Sequence, residues 1–159
     1  FNDTDYKRLG TLIKWNPAIK TASDQSEVFK AMLDDRIDVI ATDHAPHTLD
    51  EKRNTYFKAP SGGPLIQHTL IAMLEFHHQG KISLEKIVQK MSHNPSILLQ
   101  ISKRGFIREG HFADLVLVDL NRSWTISKEN ILASCGWSPF ERVTMKSQVS
   151  HTFVSGHLA

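Results

Sequence analysis

An apolar run rich in β-branched residues at 37–42 limits the fold of this chain more than any other segment. The run has the sequence IDVIAT, and it follows a segment whose apolar residues recur on one helical face at Val28, Phe29, Met32 and Leu33. Short runs of this kind favour strands buried on both faces, so we expect a strand at 37–42. The preceding segment predicts a helix with Ser23 as its N-cap and an end near Asp35. A helix followed by a buried strand indicates an α/β architecture with parallel strands.

Two further patterns divide the rest of the chain. A second short strand is expected at 12–17, and helices are expected to start at Pro64, at Ser83 and at Asn94–Pro95. The inward residues of the last helix would include Ile97, Leu98 and Ile101. Strand patterns then follow at 113–118, 124–126 and 143–154. We therefore expect one domain over residues 1–103 and a small β-rich domain over residues 104–159.

Composition excludes several classes of protein. The chain has 159 residues, with 19 basic and 17 acidic side chains, so its net charge of +2 does not favour nucleic acid as a partner. A single cysteine, Cys135, excludes an internal disulfide framework and a zinc site built from cysteines. No apolar run approaches the ~18 residues that a membrane span needs, so no membrane partner is expected.

The residues that could carry chemistry cluster around the predicted strand at 37–42. Asp43, His44 and His47 follow it directly, in the sequence DHAPH. In parallel α/β barrels the carboxyl ends of the strands carry the catalytic groups, and carboxylate and imidazole groups are ordinary zinc ligands. The D-H-x-x-H spacing also fits a plain loop with two surface histidines, and spacing alone leaves both interpretations open.

Two more segments are candidates for ligand contacts. Asn16 ends the predicted strand at 12–17, although an asparagine before a proline is also an ordinary turn residue. The segment Ser61–Gly62 lies in the SGGP sequence at the end of a loop of roughly twenty residues. It could offer main-chain amides to a ligand, or it could be a simple hinge.

Four stretches together resemble the C-terminal part of dihydroorotases, which belong to the amidohydrolase superfamily. They are KWNPAIK at 14–20, IDVIATDHAPH at 37–47, the pattern G-x-I-x-x-G-x-x-A-D-L-V from Gly105, and WSPFE at 137–141. The resemblance implies the last part of a (β/α)8 metal-dependent hydrolase barrel over 1–103, followed by part of a small β-sandwich over 104–159. It also implies a cytoplasmic enzyme that interconverts N-carbamoyl-L-aspartate and L-dihydroorotate in pyrimidine synthesis.

The resemblance implies a role for each matching residue. Asp43 would ligate the more buried ion of a binuclear zinc (Zn2+) centre and carry a proton from the bridging hydroxide to the ring nitrogen. Asn16 and His47 would hold the substrate, with His47 at its carboxylate. Ser61 and Gly62 would contact the substrate ring.

The remaining metal ligands of this family lie upstream of the stretches matched here. We therefore expect this chain to be a C-terminal fragment that needs an N-terminal segment of the same protein as its partner. One carboxylate cannot hold a binuclear zinc site, and so few strands cannot close a barrel. The resemblance leaves a homo-oligomer open.

Two alternatives remain open at this stage. The protein could be another cyclic amidase, such as a hydantoinase or an allantoinase, although Asn16 and His47 favour dihydroorotase. It could also be a non-catalytic dihydroorotase-like subunit that keeps the fold. A third, weaker hypothesis is an independent α/β binding module that binds no zinc.

Overall fold

The computed structural model describes residues 1–159 and contains both helices and strands, as expected for an α/β chain. The α-helices are α1 Tyr6–Leu9, α2 Ala22–Leu33, α3 Leu49–Lys52, α4 Thr69–His78, α5 Leu84–Val88 and α6 Asn94–Leu98. The strands are β1 Leu115–Asp119, β2 Trp124–Thr125, β3 Thr144–Met145, β4 Gln148–Val154 and β5 His157–Leu158. None of the helices combines the length and the apolar character that crossing a lipid bilayer demands.

Local capping determines where two of the predicted helices start. Helix α5 is capped by Ser83, whose hydroxyl accepts the Lys86 amide, which confirms the expectation for that helix. Helix α2 covers most of its predicted length, but its N-cap is Thr21 and the prediction of Ser23 was wrong. Thr21 has extended backbone angles and exchanges hydrogen bonds with Asp24, which forms a capping box.

The two predicted strands of the first 103 residues are not strands. Residues 10–13 form a 3-10 helix, and residues 37–42 form neither a helix nor a strand. Asp38 and Ala41 are exposed, so the expected burial on both faces is also wrong. A parallel strand needs hydrogen-bonded neighbours, and here the Ile40 amide donates instead to the carbonyl of Lys90, 3.1 Å away.

The helical region from Pro64 onwards also differs in detail from the expectation. A 3-10 turn at Ile66–His68 precedes α4, and a π-helical turn at Gln89–His93 joins α5 to α6 without a new start at Asn94. The Asn94 side chain donates to the Asp38 carbonyl at 2.6 Å and caps no helix. The predicted inward residues of α6 are exposed, namely Ile97, Leu98 and, just beyond the helix, Ile101.

The chain divides into two compact units. The first contains residues Phe1–Asp34, Thr42–Thr69 and Thr125–Val143, and the second contains the remaining residues. Buried apolar residues of the first unit include Ile13, Met32, Ala59, Ile126 and Trp137, and those of the second include Ile71, Leu74, Ile82, Ile87 and Met145.

The β-rich part of the second unit agrees with the sequence pattern. Strands β1, β4 and β5 form an antiparallel sheet in that order, with Leu115 opposite Phe153 and Phe153 opposite Leu158. A register shift lies between Leu117 and Val118. This sheet confirms the strand patterns at 113–118 and 143–154. Alternating β-branched residues suit a half-buried antiparallel sheet.

Candidate active site

Asp43 directly follows the irregular segment 37–42. Its φ angle is +45°, in the left-handed region that few residues other than glycine adopt, and its side chain is exposed. Aspartate tolerates this conformation better than most side chains because its short carboxylate is able to bond locally. Asp43 is therefore accessible to solvent.

His44 has a structural partner. Its Nδ1 accepts the main-chain amides of Leu65 at 3.1 Å and Ile66 at 3.2 Å, just before the 3-10 turn that leads into α4. His44 also forms a parallel bridge with Gly63. An imidazole that accepts through Nδ1 is neutral and carries its proton on Nε2. His44 thus ties the two ends of the loop together.

Both the ring and the main-chain carbonyl of His47 form hydrogen bonds. Nε2 lies 3.1 Å from the carbonyl oxygen of Ser61, and because a carbonyl only accepts, the imidazole donates this bond. The indole Nε1 of buried Trp137 donates to the His47 carbonyl at 2.8 Å. The structure thus brings together two predicted substrate contacts that lie 14 residues apart in sequence, His47 and Ser61.

Gly62 connects the loop to a third segment, the one that contains Lys14. Its amide donates to the carbonyl of Lys14 at 2.9 Å, and Asn16 follows two residues later with an exposed side chain. The φ angle of Gly62 is +118°, and a Cβ built there would lie 2.6 Å from the Ala45 carbonyl oxygen. Only glycine fits this close approach.

Lys52 was missed by the sequence interpretation. Its exposed fraction is 0%, and its Nζ donates to the carbonyls of Gly62 at 2.7 Å, Pro60 at 3.0 Å and Lys14 at 3.3 Å. Burial lowers the pKa of Lys52 to about 8, and the nearby Lys14 ammonium lowers it further in the same direction. Lys52 lies in the loop of roughly twenty residues that the sequence predicts, and no local pattern indicated its burial.

A cavity of about 810 Å³ opens beside His47. Trp137 and the imidazole of His68 contribute to its wall, and burial lowers the pKa of His68. The Nδ1 atom of His68 lies 3.2 Å from the Ser138 hydroxyl. Of the candidate residues, His47 and its neighbour His44 line this cavity; the others do not, namely Asn16, Asp43, Ser61 and Gly62.

The described residues do not complete a metal site. No three side chains of the histidine, cysteine, aspartate and glutamate types are grouped so that they could hold an ion. Asp43 could supply a carboxylate oxygen, which is a suitable ligand for a divalent cation. One such ligand is too few for a zinc centre, so the 159 residues by themselves do not fit one.

Comparisons with known proteins agree with the resemblance to dihydroorotases seen in the sequence. The model of the Amidohydrolase family matches residues 14–159. Dihydroorotase from Halobacterium salinarum is 37% identical over 137 residues, or 86% of this chain and 32% of the relative. Dihydroorotase from Clostridioides difficile is 32% identical over 157 residues, or 98% of this chain and 37% of the relative. The chain therefore spans about a third of the length of these curated relatives.

Solved structures support the same fold. L-hydantoinase (dihydropyrimidinase) from Arthrobacter aurescens superposes with a TM-score of 0.94 at 24% identity, covering 99% of this chain and 36% of that one. D-hydantoinase (dihydropyrimidinase) from Thermus sp. gives a TM-score of 0.91 at 22% identity, covering 100% of this chain and 36% of that one. The resemblance noted in the sequence is confirmed, and this chain belongs to the amidohydrolase family.

Proposed function

We propose that these residues form part of a dihydroorotase, a cytoplasmic cyclic amide hydrolase that interconverts N-carbamoyl-L-aspartate and L-dihydroorotate in pyrimidine synthesis. The observation that carries this proposal is identity of 37% and 32% to two proteins named dihydroorotase, over 86% and 98% of the chain. That span includes the DHAPH segment and the loop that contacts it. The hydantoinase structures, at 24% and 22% identity, bear on the fold alone.

Asp43 is the proposed proton carrier. An exposed carboxylate suits a group that takes a proton from water and returns it to the leaving nitrogen. In the complete protein Asp43 would also be a metal ligand.

The substrate would be held by Asn16, His47, Ser61 and Gly62. Dihydroorotate carries a carboxylate, and His47 has one ring nitrogen, Nδ1, left over from its bond to Ser61. A protonated His47 would donate through Nδ1 to the substrate carboxylate while Nε2 stays on Ser61, which makes a charge-assisted hydrogen bond. Asn16 is exposed, so its amide would be accessible to a bound ring.

The metal in this proposal is a binuclear zinc centre. The family implies a metal cofactor, but the described residues supply Asp43 and no complete ligand set. We therefore infer that the other ligands come from an N-terminal segment of the same protein. The same N-terminal segment would be needed to complete both domains. Residues 1–103 would form part of a (β/α)8 barrel, and residues 104–159 would form part of a β-sandwich.

The test is a substrate panel on the complete protein that contains this chain. Hydrolysis of dihydroorotate is expected, with hydantoin and allantoin as the competing ring substrates. A clear preference for hydantoin or allantoin would favour a different cyclic amidase. A well-folded, metal-loaded protein without activity on any of the three would favour a non-catalytic subunit.

A further inference from the structure

One buried charge in the first unit has no part in the proposed chemistry. Lys52 ends the short helix α3, which Thr48 and Glu51 cap by a reciprocal pair of hydrogen bonds. Its side chain is fully buried, and the three hydrogen bonds of its ammonium all go to main-chain carbonyls. A buried ammonium is costly unless its hydrogen bonds are satisfied, so this arrangement depends on all three carbonyls.

The three carbonyls belong to the two segments that carry most of the proposed substrate contacts. Pro60 and Gly62 flank Ser61, and Lys14 lies two residues before Asn16. The Lys14 carbonyl also accepts the Gly62 amide at 2.9 Å, so the two segments are joined directly as well. The ammonium of Lys52 therefore sits at the junction of these segments.

The surroundings of Lys52 fix its position. The rings of Trp15 and Trp137 each lie 6.0 Å from its Nζ, which is within range of a weak cation–π attraction. The Thr11 hydroxyl donates to the Lys52 carbonyl. With no exposed surface and three donors engaged, Lys52 cannot reach a substrate and is not a catalytic residue.

We propose that Lys52 is a positioning residue, whose buried ammonium holds the carbonyls of Lys14, Pro60 and Gly62 so that the main chain of 14–16 and 60–62 is set to receive the substrate. The proposal rests on the proposed function, because only there are Asn16, Ser61 and Gly62 substrate contacts.

Protonation of Lys52 gives this proposal a signature in pH. The ammonium has three N–H donors for three carbonyls, whereas the neutral amine has only two. Because the pKa of Lys52 is about 8, the third bond is lost as pH rises through that value. The charged group that faces it is the Lys14 ammonium, whose Nζ donates to the carbonyls of Tyr56 at 2.7 Å and Ala59 at 2.6 Å.

The experiment measures KM and kcat for dihydroorotate from pH 7 to about 9.5, with the complete protein. In wild type we expect KM to rise above about pH 8 with little change in kcat. Lys52→Met should raise KM about tenfold or more at pH 7, since charge-assisted hydrogen bonds are lost, and should flatten the rise of KM with pH. Lys58→Met is the matched control, because Lys58 lies in the same loop with an exposed side chain, and its KM should stay within about twofold of wild type.

The outcomes separate this proposal from the proposed function. A wild-type KM that stays constant through pH 8, or a folded Lys52→Met protein with normal KM, overturns the positioning role. If Lys52→Met does not fold, the wild-type pH profile decides. If wild type does not act on dihydroorotate, the proposed function fails. Hydrogen exchange at the Gly62 amide then tests whether Lys52 holds the main chain in place. Faster exchange in Lys52→Met than in Lys58→Met would support the positioning role, and equal exchange would refute it.

Discussion

Replacing Gly62 by alanine tests how tightly the loop passes the DHAPH segment. The φ angle of +118° is one that side chains other than glycine rarely adopt, which costs on the order of 1–3 kcal/mol. The new Cβ would also meet the Ala45 carbonyl oxygen at 2.6 Å and the Ala45 Cβ at 2.7 Å. Overpacking of this kind costs about 1–3 kcal/mol more, so we expect Gly62→Ala to lose about 2–6 kcal/mol of unfolding free energy.

Gly80 provides the matched control for this substitution. It also has a positive φ, +69°, but a Cβ built there meets no heavy atom within 4 Å. Gly80→Ala should therefore show only the backbone penalty, about 1–2 kcal/mol. Urea unfolding followed by tryptophan fluorescence measures both losses, since the ring of Trp15 lies against Gly63 next to the substitution. If Gly62→Ala is no less stable than Gly80→Ala, the described packing of the loop on Ala45 is wrong.

Three further predictions concern single contacts. His47→Ala should raise KM for dihydroorotate by about tenfold or more with a smaller effect on kcat, and an unchanged KM in steady-state kinetics would exclude His47 from substrate binding. Trp137→Phe removes the donor to the His47 carbonyl and should cost about 1–2 kcal/mol in urea unfolding; a variant as stable as wild type would show that this bond contributes nothing. The Ser155 amide and then Arg104 hold the pKa of Asp114 below its usual range, so the stability that this carboxylate adds is present at neutral pH and lost as pH falls through the lowered pKa. Asp114→Asn should accordingly lower the urea midpoint at pH 7 but not in strong acid, and an equal difference at both pH values would contradict the assignment.

Elements with strong local signals were predictable from the sequence. Helix α5 starts at its Ser83 cap, and β1 and β4 follow β-branched patterns, because capping and alternation act over a few neighbouring residues. The run at 37–42 has an equally clear pattern but is not a strand. Its state depends on hydrogen-bonded neighbours, and no strand of the described chain pairs with it.

In the candidate site, too, local patterns were visible in the sequence and long-range contacts were not. The residues of DHAPH that could carry chemistry were proposed from their order in the sequence, and their roles stay predictions. The side chains that support them were not, because their contacts join distant residues. Trp137 lies 90 residues from His47, and Lys52 donates to carbonyls that lie 8, 10 and 38 residues away. His44 was one of the residues that could carry chemistry, but its Nδ1 accepts the amides of Leu65 and Ile66.

The proposed function depends on Asp43 more than on any other residue. The most direct measurement compares the rate of dihydroorotate ring opening by the complete wild-type protein with that of Asp43→Asn, which has nearly the same shape without the charge. We expect wild type to open the ring and Asp43→Asn to lose several orders of magnitude in kcat, because one carboxylate would serve both as acid–base group and as metal ligand. A near-normal kcat in a folded Asp43→Asn protein would contradict the account.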